Sequence, residues 1–182
     1  MLPSQALTGM ARPAPLSEER VARSEAVRFG YRIGALNFLV ADGVLSEVLR
    51  APAIYPIPNV PDALRGYVNR QGALIPVWDV AEIVDCRVID HSAEENQSVF
   101  RKQEGLSVLL LGRDDDRVGL VIDGLPHTIR QIEKASRLPM LPAPLIGHVR
   151  DALFAESELW LSLDHESFFA AQANEMALTS AA

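Results

Sequence analysis

Pro56, Pro58, Pro61 and Pro76 fall within one segment, IYPIPNVPDALRGYVNRQGALIPVWDV, and they constrain the fold more than any other feature of the chain. Each proline fixes φ and lacks an amide N–H, so a long helix is excluded here and strands are confined to short or edge pieces. Gly66 and Gly72 bracket Tyr67 to Gln71, and Gly72 predicts a turn between a strand through Tyr67 and Val68 and one through Leu74 to Trp78. Asp79 then stands three residues before Glu82, at the head of an apolar run. That spacing predicts a helix over Val80–Val84, with the Asp79 carboxylate accepting from the free N–H groups of its first turn.

The rest of the chain is also strand-rich in its patterning. Val27, Phe29, Tyr31 and Ile33 alternate with Arg28, Gly30 and Arg32, which places the apolar four on one face of a strand. Gly34-Ala35 makes a turn into a return strand over residues 36–40. Residues 106–111 and 118–122 form a second hairpin, closed by the polar 112–116 turn and ending at Asp123-Gly124. Leu159, Leu161 and Leu163 alternate with polar or bulky neighbours in a last strand, and Asp164 heads a helix over residues 165–173 that carries Phe168 and Phe169. Val44, Leu45, Val48 and Leu49 recur at helical spacing until Pro52, which predicts a further short helix over residues 43–50. The expected inward set is Phe29, Tyr31, Ile33, Leu74, Pro76 and Trp78, or else the alternate register of Ile75 and Val77.

PVWDVAEIV and LSLDHESFF share one plan: apolar strand, aspartate, acidic first turn, apolar helix. Acidic groups there complement the helix dipole, and the shared plan suggests two related half-domains. Residues 1–25 read as a flexible N-terminal tail, 26–175 as the folded domain and 176–182 as a C-terminal tail. Residues 85–105 read as a polar loop between subdomains.

Composition narrows the function. A formal net charge of -7 disfavours non-specific nucleic-acid or anionic-membrane binding, because no counterion release rewards it. Cys86 is the sole cysteine, so no internal disulfide forms, and a reducing, cytoplasmic setting is expected. No apolar stretch approaches the roughly 20 residues of a spanning helix, so no direct membrane insertion is expected. His91, His127, His148 and His165 show no metal-ligand spacing, and no phosphate loop or dinucleotide motif occurs, so neither metal nor cofactor is expected. Asp114, Asp115 and Asp116 lie between Arg113 and Arg117 as a self-compensated turn. Asp123, His127 and Ser136 suggest a small hydrolase, but no Gly-x-Ser-x-Gly turn supports one. The residues favour a binding module over an enzyme.

The ordered motifs resemble the CheW family of chemotaxis coupling proteins. The matching pieces are Leu45-Ser46-Glu47-Val48, Ile57-Pro58-Asn59-Val60-Pro61, Gly66-Tyr67-Val68-Asn69-Arg70-Gln71-Gly72 and Ile75-Pro76-Val77-Trp78-Asp79-Val80. Val118 to Leu125, with Gly119, Asp123 and Gly124, matches in the second half, as does Leu161-Ser162-Leu163-Asp164. The resemblance spans roughly residues 27 to 172. It implies a mainly β fold of two SH3-like five-stranded barrels with short helices. The expected first barrel covers about 34–84 plus the C-terminal helix and the second about 106–163, with strand 27–33 shared or in the first.

The function it implies is a non-enzymatic adaptor that joins chemoreceptors of the methyl-accepting type to a CheA-type histidine kinase. The implied partners are the receptor's cytoplasmic tip and the kinase regulatory domain. A coupler of a non-flagellar system, such as twitching motility, is the alternative. The implied receptor surface is Leu45, Glu47, Gly66, Asn69, Arg70, Gln71 and Gly72, with Asp79, Gly119, Asp123, Gly124 and Asp164 as structural caps and turns. One departure stands out: the family's Asn-Leu-Arg-Gly is Asn69-Arg70-Gln71-Gly72 here, with the arginine one position early. On a strand that shift turns Arg70 to the opposite face and leaves Gln71 at the contact, unless the turn at Gly72 re-aims it. On the expected helix, Leu45 and Glu47 diverge by roughly 200°.

Overall fold

The alternating residues at the start of the domain build β1 (Arg28–Ile33), and the chain reverses at Gly34 into β2 (Leu36–Leu39), with Ile33 opposite Leu36. In the computed structural model, which describes residues 27–85, 106–130 and 132–180, eight further strands and two α-helices follow. They are β3 (Ser46–Arg50), β4 (Leu64–Arg70), β5 (Ala73–Trp78), α1 (Val80–Val84), β6 (Ser107–Leu111), β7 (Val118–Ile129), β8 (Glu133–Lys134), β9 (Val149–Ala155), β10 (Glu158–Leu163) and α2 (His165–Ser180).

The strands form two sets. One runs β3-β6-β7-β5-β4, and the other runs β7-β1-β2-β10-β9 with β8 on its edge. Among the described residues only β7 belongs to both. Its first half pairs with β6 and β5, and its second half pairs with β1. At the crossover the register slips: Asp123 faces Arg32, yet His127 faces Gly30. Gly124 sits in this bulge with φ +71, a conformation a side chain rarely adopts. The β3-to-β7 set is inserted in the chain between β2 and the second half of β7. We refer to it as the inserted barrel and to the other as the terminal barrel.

Each set encloses its own core, and a larger core lies between them. Val68, Ile75, Val77, Val108, Leu110 and Val121 fill the inserted barrel. Leu39, Ile129, Ala155 and Trp160 fill the terminal one. The seam holds Tyr31, Ile33, Phe38, Trp78, Val80, Leu109, Leu120, Leu163, Phe168 and others. Strand alternation sends neighbours to different cores: Ile75 and Val77 point into the barrel, while Trp78 points into the seam. The helix α2 follows the terminal barrel, yet its Phe169 packs on Trp78 of the inserted one, ring centroids 5.7 Å apart.

The suspected repeat has a constant register. One fixed offset relates Leu64 to Val149, Arg65 to Arg150 and Asp79 to Asp164. The same offset relates the pair Leu64–Trp78 to Val149–Leu163, and Arg70–Ala73 to the hairpin end Ala155–Glu158. It also relates the backbone bond from Asp79 N–H to Ala63 with that from Asp164 N–H to His148.

Several expectations need correction. Residues 43–50 are not a helix, because Ser46 to Arg50 form β3, antiparallel to β6 from Leu111 to Ser107. Val44, Leu45, Val48 and Leu49 fit either period, and a partner strand distant in sequence decides between them. The expected sequential barrels also fail. The strand β2 pairs with β1 and β10, whereas β6 and the first half of β7 pair with β3 and β5. Asp123-Gly124 is a bulge inside a continuous strand, not a strand end, and Gly119 lies within β7, as its second residue, packed against Val77 and Val108. Phe29 and Leu74 are exposed, so Ile75 and Val77 supply the inward register. The final helix runs to Ser180, past 173 and into the expected C-terminal tail, because its last turns are rich in good helix formers and Met176 packs on the seam. Cys86, His91 and residues 1–25 lie outside the described residues, as does nearly all of the 85–105 loop.

Candidate partner-binding site

The β4–β5 hairpin is built by local chemistry. Gln71 and Gly72 both have positive φ, +55 and +91, the two-residue turn whose twist matches antiparallel strands. Asn69 Oδ1 accepts from Gly72 N–H at 3.0 Å and braces that turn. Gly66 sits lower in β4 with φ +131, where the backbone of Tyr55 and Pro56 crosses so closely that a Cβ would collide with the Tyr55 carbonyl. That approach lets Tyr55 bridge to Tyr67 on the edge of β4.

The turn also aims Arg70 at Glu47 on β3. Arg70 Nε donates to Glu47 Oε1 at 2.8 Å, and Nη2 lies 2.5 Å from the same oxygen. This hydrogen bond lowers the Glu47 carboxyl pKa and raises that of Arg70. The two charged residues expected to meet a partner thus meet each other, each about one-third exposed. Gln71 sits at the tip of the turn. Leu45 directly precedes β3, two residues before Glu47, so the expected helical divergence does not arise; it is half exposed, and its carbonyl accepts from Gly112 N–H.

A groove between the barrels adds residues that sequence reasoning missed. It is lined by Phe29, Val40, Ser46, Val48, Arg50, Leu109, Leu125 and Pro126. Phe29 is 52% and Leu125 45% exposed, large apolar side chains left open to solvent. The sequence signal existed in Phe29, but alternation alone assigned it inward. A second apolar surface follows β8, where Leu138, Met140 and Ile146 are exposed, Met140 at 99%.

The aspartates that head the two helices behave differently. Asp79 makes no side-chain cap bond to α1, and its Oδ2 lies 3.9 Å from Arg65 Nη1. Asp164 Oδ1 accepts from Ser167 N–H at 3.3 Å, and Oδ2 accepts from Arg150 Nε at 3.0 Å and Nη2 at 2.6 Å. Burial pushes the Asp164 carboxyl up, but the Arg150 and Ser167 hydrogen bonds outweigh it and the net shift is downward.

Two of the residues that suggested a hydrolase, Asp123 and His127, are engaged elsewhere. Asp123 Oδ2 accepts from Gly34 N–H at 2.6 Å, while His127 stands edge-on to Trp160 at 5.5 Å and 4.0 Å from Glu156. Among the described residues no group of three or more His, Cys, Asp or Glu is placed to hold a metal. Nor is any helix among them long and apolar enough to cross a membrane.

Two small barrels fused through one strand, with an apolar groove between them and further exposed apolar side chains after β8, make a scaffold-type interaction module. The chain belongs to the CheW-like domain family, whose pattern matches residues 29–173, and is a CheW-like coupling protein. It is 28% identical over 148 residues to the protein PilI of Pseudomonas aeruginosa, covering 77% of this chain and 75% of PilI. It is 32% identical over 80 residues to FrzA of Myxococcus xanthus, covering 44% of this chain and 43% of FrzA. The crystal structure of the scaffolding protein TtCheW from Thermoanaerobacter tengcongensis shares the fold. Its TM-score is 0.53 at 16% identity, covering 75% of this chain and 87% of that one.

Proposed function

We propose that this protein is a non-enzymatic cytoplasmic coupler that holds a chemoreceptor's cytoplasmic tip and the regulatory domain of a CheA-type histidine kinase together, in a non-flagellar chemosensory system. The groove between the barrels carries this reading. Its apolar floor of Val48 and Leu109, its open Phe29 and Leu125, and the cation Arg50 at its edge suit one amphipathic helix of a receptor coiled coil. The Glu47–Arg70 pair and the Gly66 to Gly72 corner form a charged rim on the inserted barrel. The exposed Leu138, Met140 and Ile146 on the terminal barrel suit a second partner, the kinase domain. Each contact is small, roughly 1,200 Å² or below, so affinity builds through simultaneous engagement. The likeness to PilI and FrzA supports the non-flagellar assignment.

The test measures binding of a purified receptor tip fragment and of the kinase regulatory domain separately. Phe29→Ala with Leu125→Ser should weaken only the receptor arm, and Met140→Asp only the kinase arm. Unchanged binding in both arms refutes the surface assignment, and absence of any binding by the parent protein refutes the coupler.

A further inference from the structure

His165 occupies an unusual place. The repeat offset sets it opposite Val80, an apolar residue at the first position of α1. His165 is the first residue of α2 and is only 4% exposed. Its Nε2 is buried with no hydrogen-bond partner. An imidazole thus stands where the matching half of the molecule places an aliphatic side chain. Three residues on, Phe168 is fully buried in the seam, and Phe169 beside it reaches Trp78 of the inserted barrel. The first turn of α2 therefore fastens one barrel to the other.

We propose that His165 is a pH-sensitive latch: protonation of its buried ring loosens the first turn of α2 and weakens the clamp between the barrels. A buried imidazole whose Nε2 has no hydrogen-bond partner resists charge because desolvation at that nitrogen is not repaid. The groups acting on it are Glu166 on its own helix, Asp164 just before it and Arg150 on β9, with His148 beside the same turn through Ser167. The two carboxylates favour the charged ring, and Arg150 opposes it. Asp164 is already committed to Arg150 and to Ser167 N–H. Burial outweighs these charges, so the folded pKa lies below the ordinary value of 6.5. A depressed histidine pKa leaves stability intact above about 6.5 and removes it as pH falls toward the folded value. One proton changes the folding equilibrium by up to about tenfold per pH unit.

The experiment uses the full chain at constant ionic strength. Urea midpoints are measured between pH 7.5 and 5.5 for the parent and for His165→Val, the residue of the matching slot. The parent should lose stability over this range more steeply than the variant, while the remaining histidines and carboxylates contribute equally to both. Parallel curves overturn the proposal. Two measurements on the parent protein need no variant. Imidazole NMR should show His165 titrating below 6.5, and hydrogen exchange at pH 5.5, corrected for intrinsic rates, should show protection lost in α2 before the strands. Titration at or above 6.5, or an even loss across the strands, also overturns it.

Discussion

Glu47 and Arg70 join two strands, β3 and β4, that share no backbone ladder, through a side-chain contact with Nε 2.8 Å from Oε1. Their pairing closes the inserted barrel at its rim. It also resolves the early arginine of the Asn69-Arg70-Gln71-Gly72 motif. From the last position of β4, just ahead of the turn, Arg70 reaches across to β3, while Gln71 takes the turn tip.

Glu47→Ala should leave the fold nearly as stable as before, because a partly exposed ion pair contributes little. Receptor binding should weaken and lose much of its salt dependence. The Glu47 carboxyl is depressed in the folded state, so its contribution is present above the ordinary carboxylate range and is lost as pH falls through its lowered value. Receptor affinity at two salt concentrations, and urea midpoints of the parent and Glu47→Ala from pH 7 to well below 4.5, check this.

Ile33→Ala should cost about 2–5 kcal/mol, the range for truncating a buried aliphatic side chain. Ile33 is buried in the seam rather than inside a barrel, so its loss weakens both barrels together. Chemical denaturation should show one cooperative transition shifted to lower denaturant, not two.

Gly66→Ala should destabilise by roughly 1–3 kcal/mol or more. The added methyl would strike the Tyr55 carbonyl, and φ +131 is itself unfavourable for alanine. Hydrogen exchange should then rise first at the Tyr55–Tyr67 bridge.

Asp164→Ala should cost about 1 kcal/mol through lost capping, and more if Arg150 is left without a partner. Asp79→Ala should not perturb α1 in the same way, since Asp79 makes no cap bond there. Helix-specific exchange rates in the two variants compare the matched positions directly. Because the Asp164 pKa is lowered, its contribution is present above the ordinary value of 3.8 and disappears as pH falls through the folded value.

The parts of this fold legible from sequence were those set by neighbours in the chain. The hairpin at Gly72, the hairpin at Gly34, the paired strands after residue 106 and the helix after Trp78 follow from proline, glycine and alternation. What stayed hidden depended on distant residues. The identity of β3 as a strand rests on β6, and the exposure of Phe29 rests on the groove formed by β3, β6 and the β7 bulge. The strands β8 and β9 follow or contain few strong β formers and were missed, although the repeat offset from β4 marks β9. At the site, residue types pointed to Glu47 and Arg70, but that they contact each other required the barrel to close.

The strand shared by both barrels also orders events as the chain leaves the ribosome. The inserted barrel draws all its strands from one contiguous stretch, Ser46 to Ile122, so it can close as soon as the first half of β7 emerges. The hairpin of β1 and β2, made before the rest of the domain, must wait for the second half of β7 and then for β10, the last strand of the domain. Such long-range pairing is slow, and edges left open meanwhile are prone to mispairing. The earliest residues of this domain are therefore among the last to reach their final partners, and they do so on a template already folded.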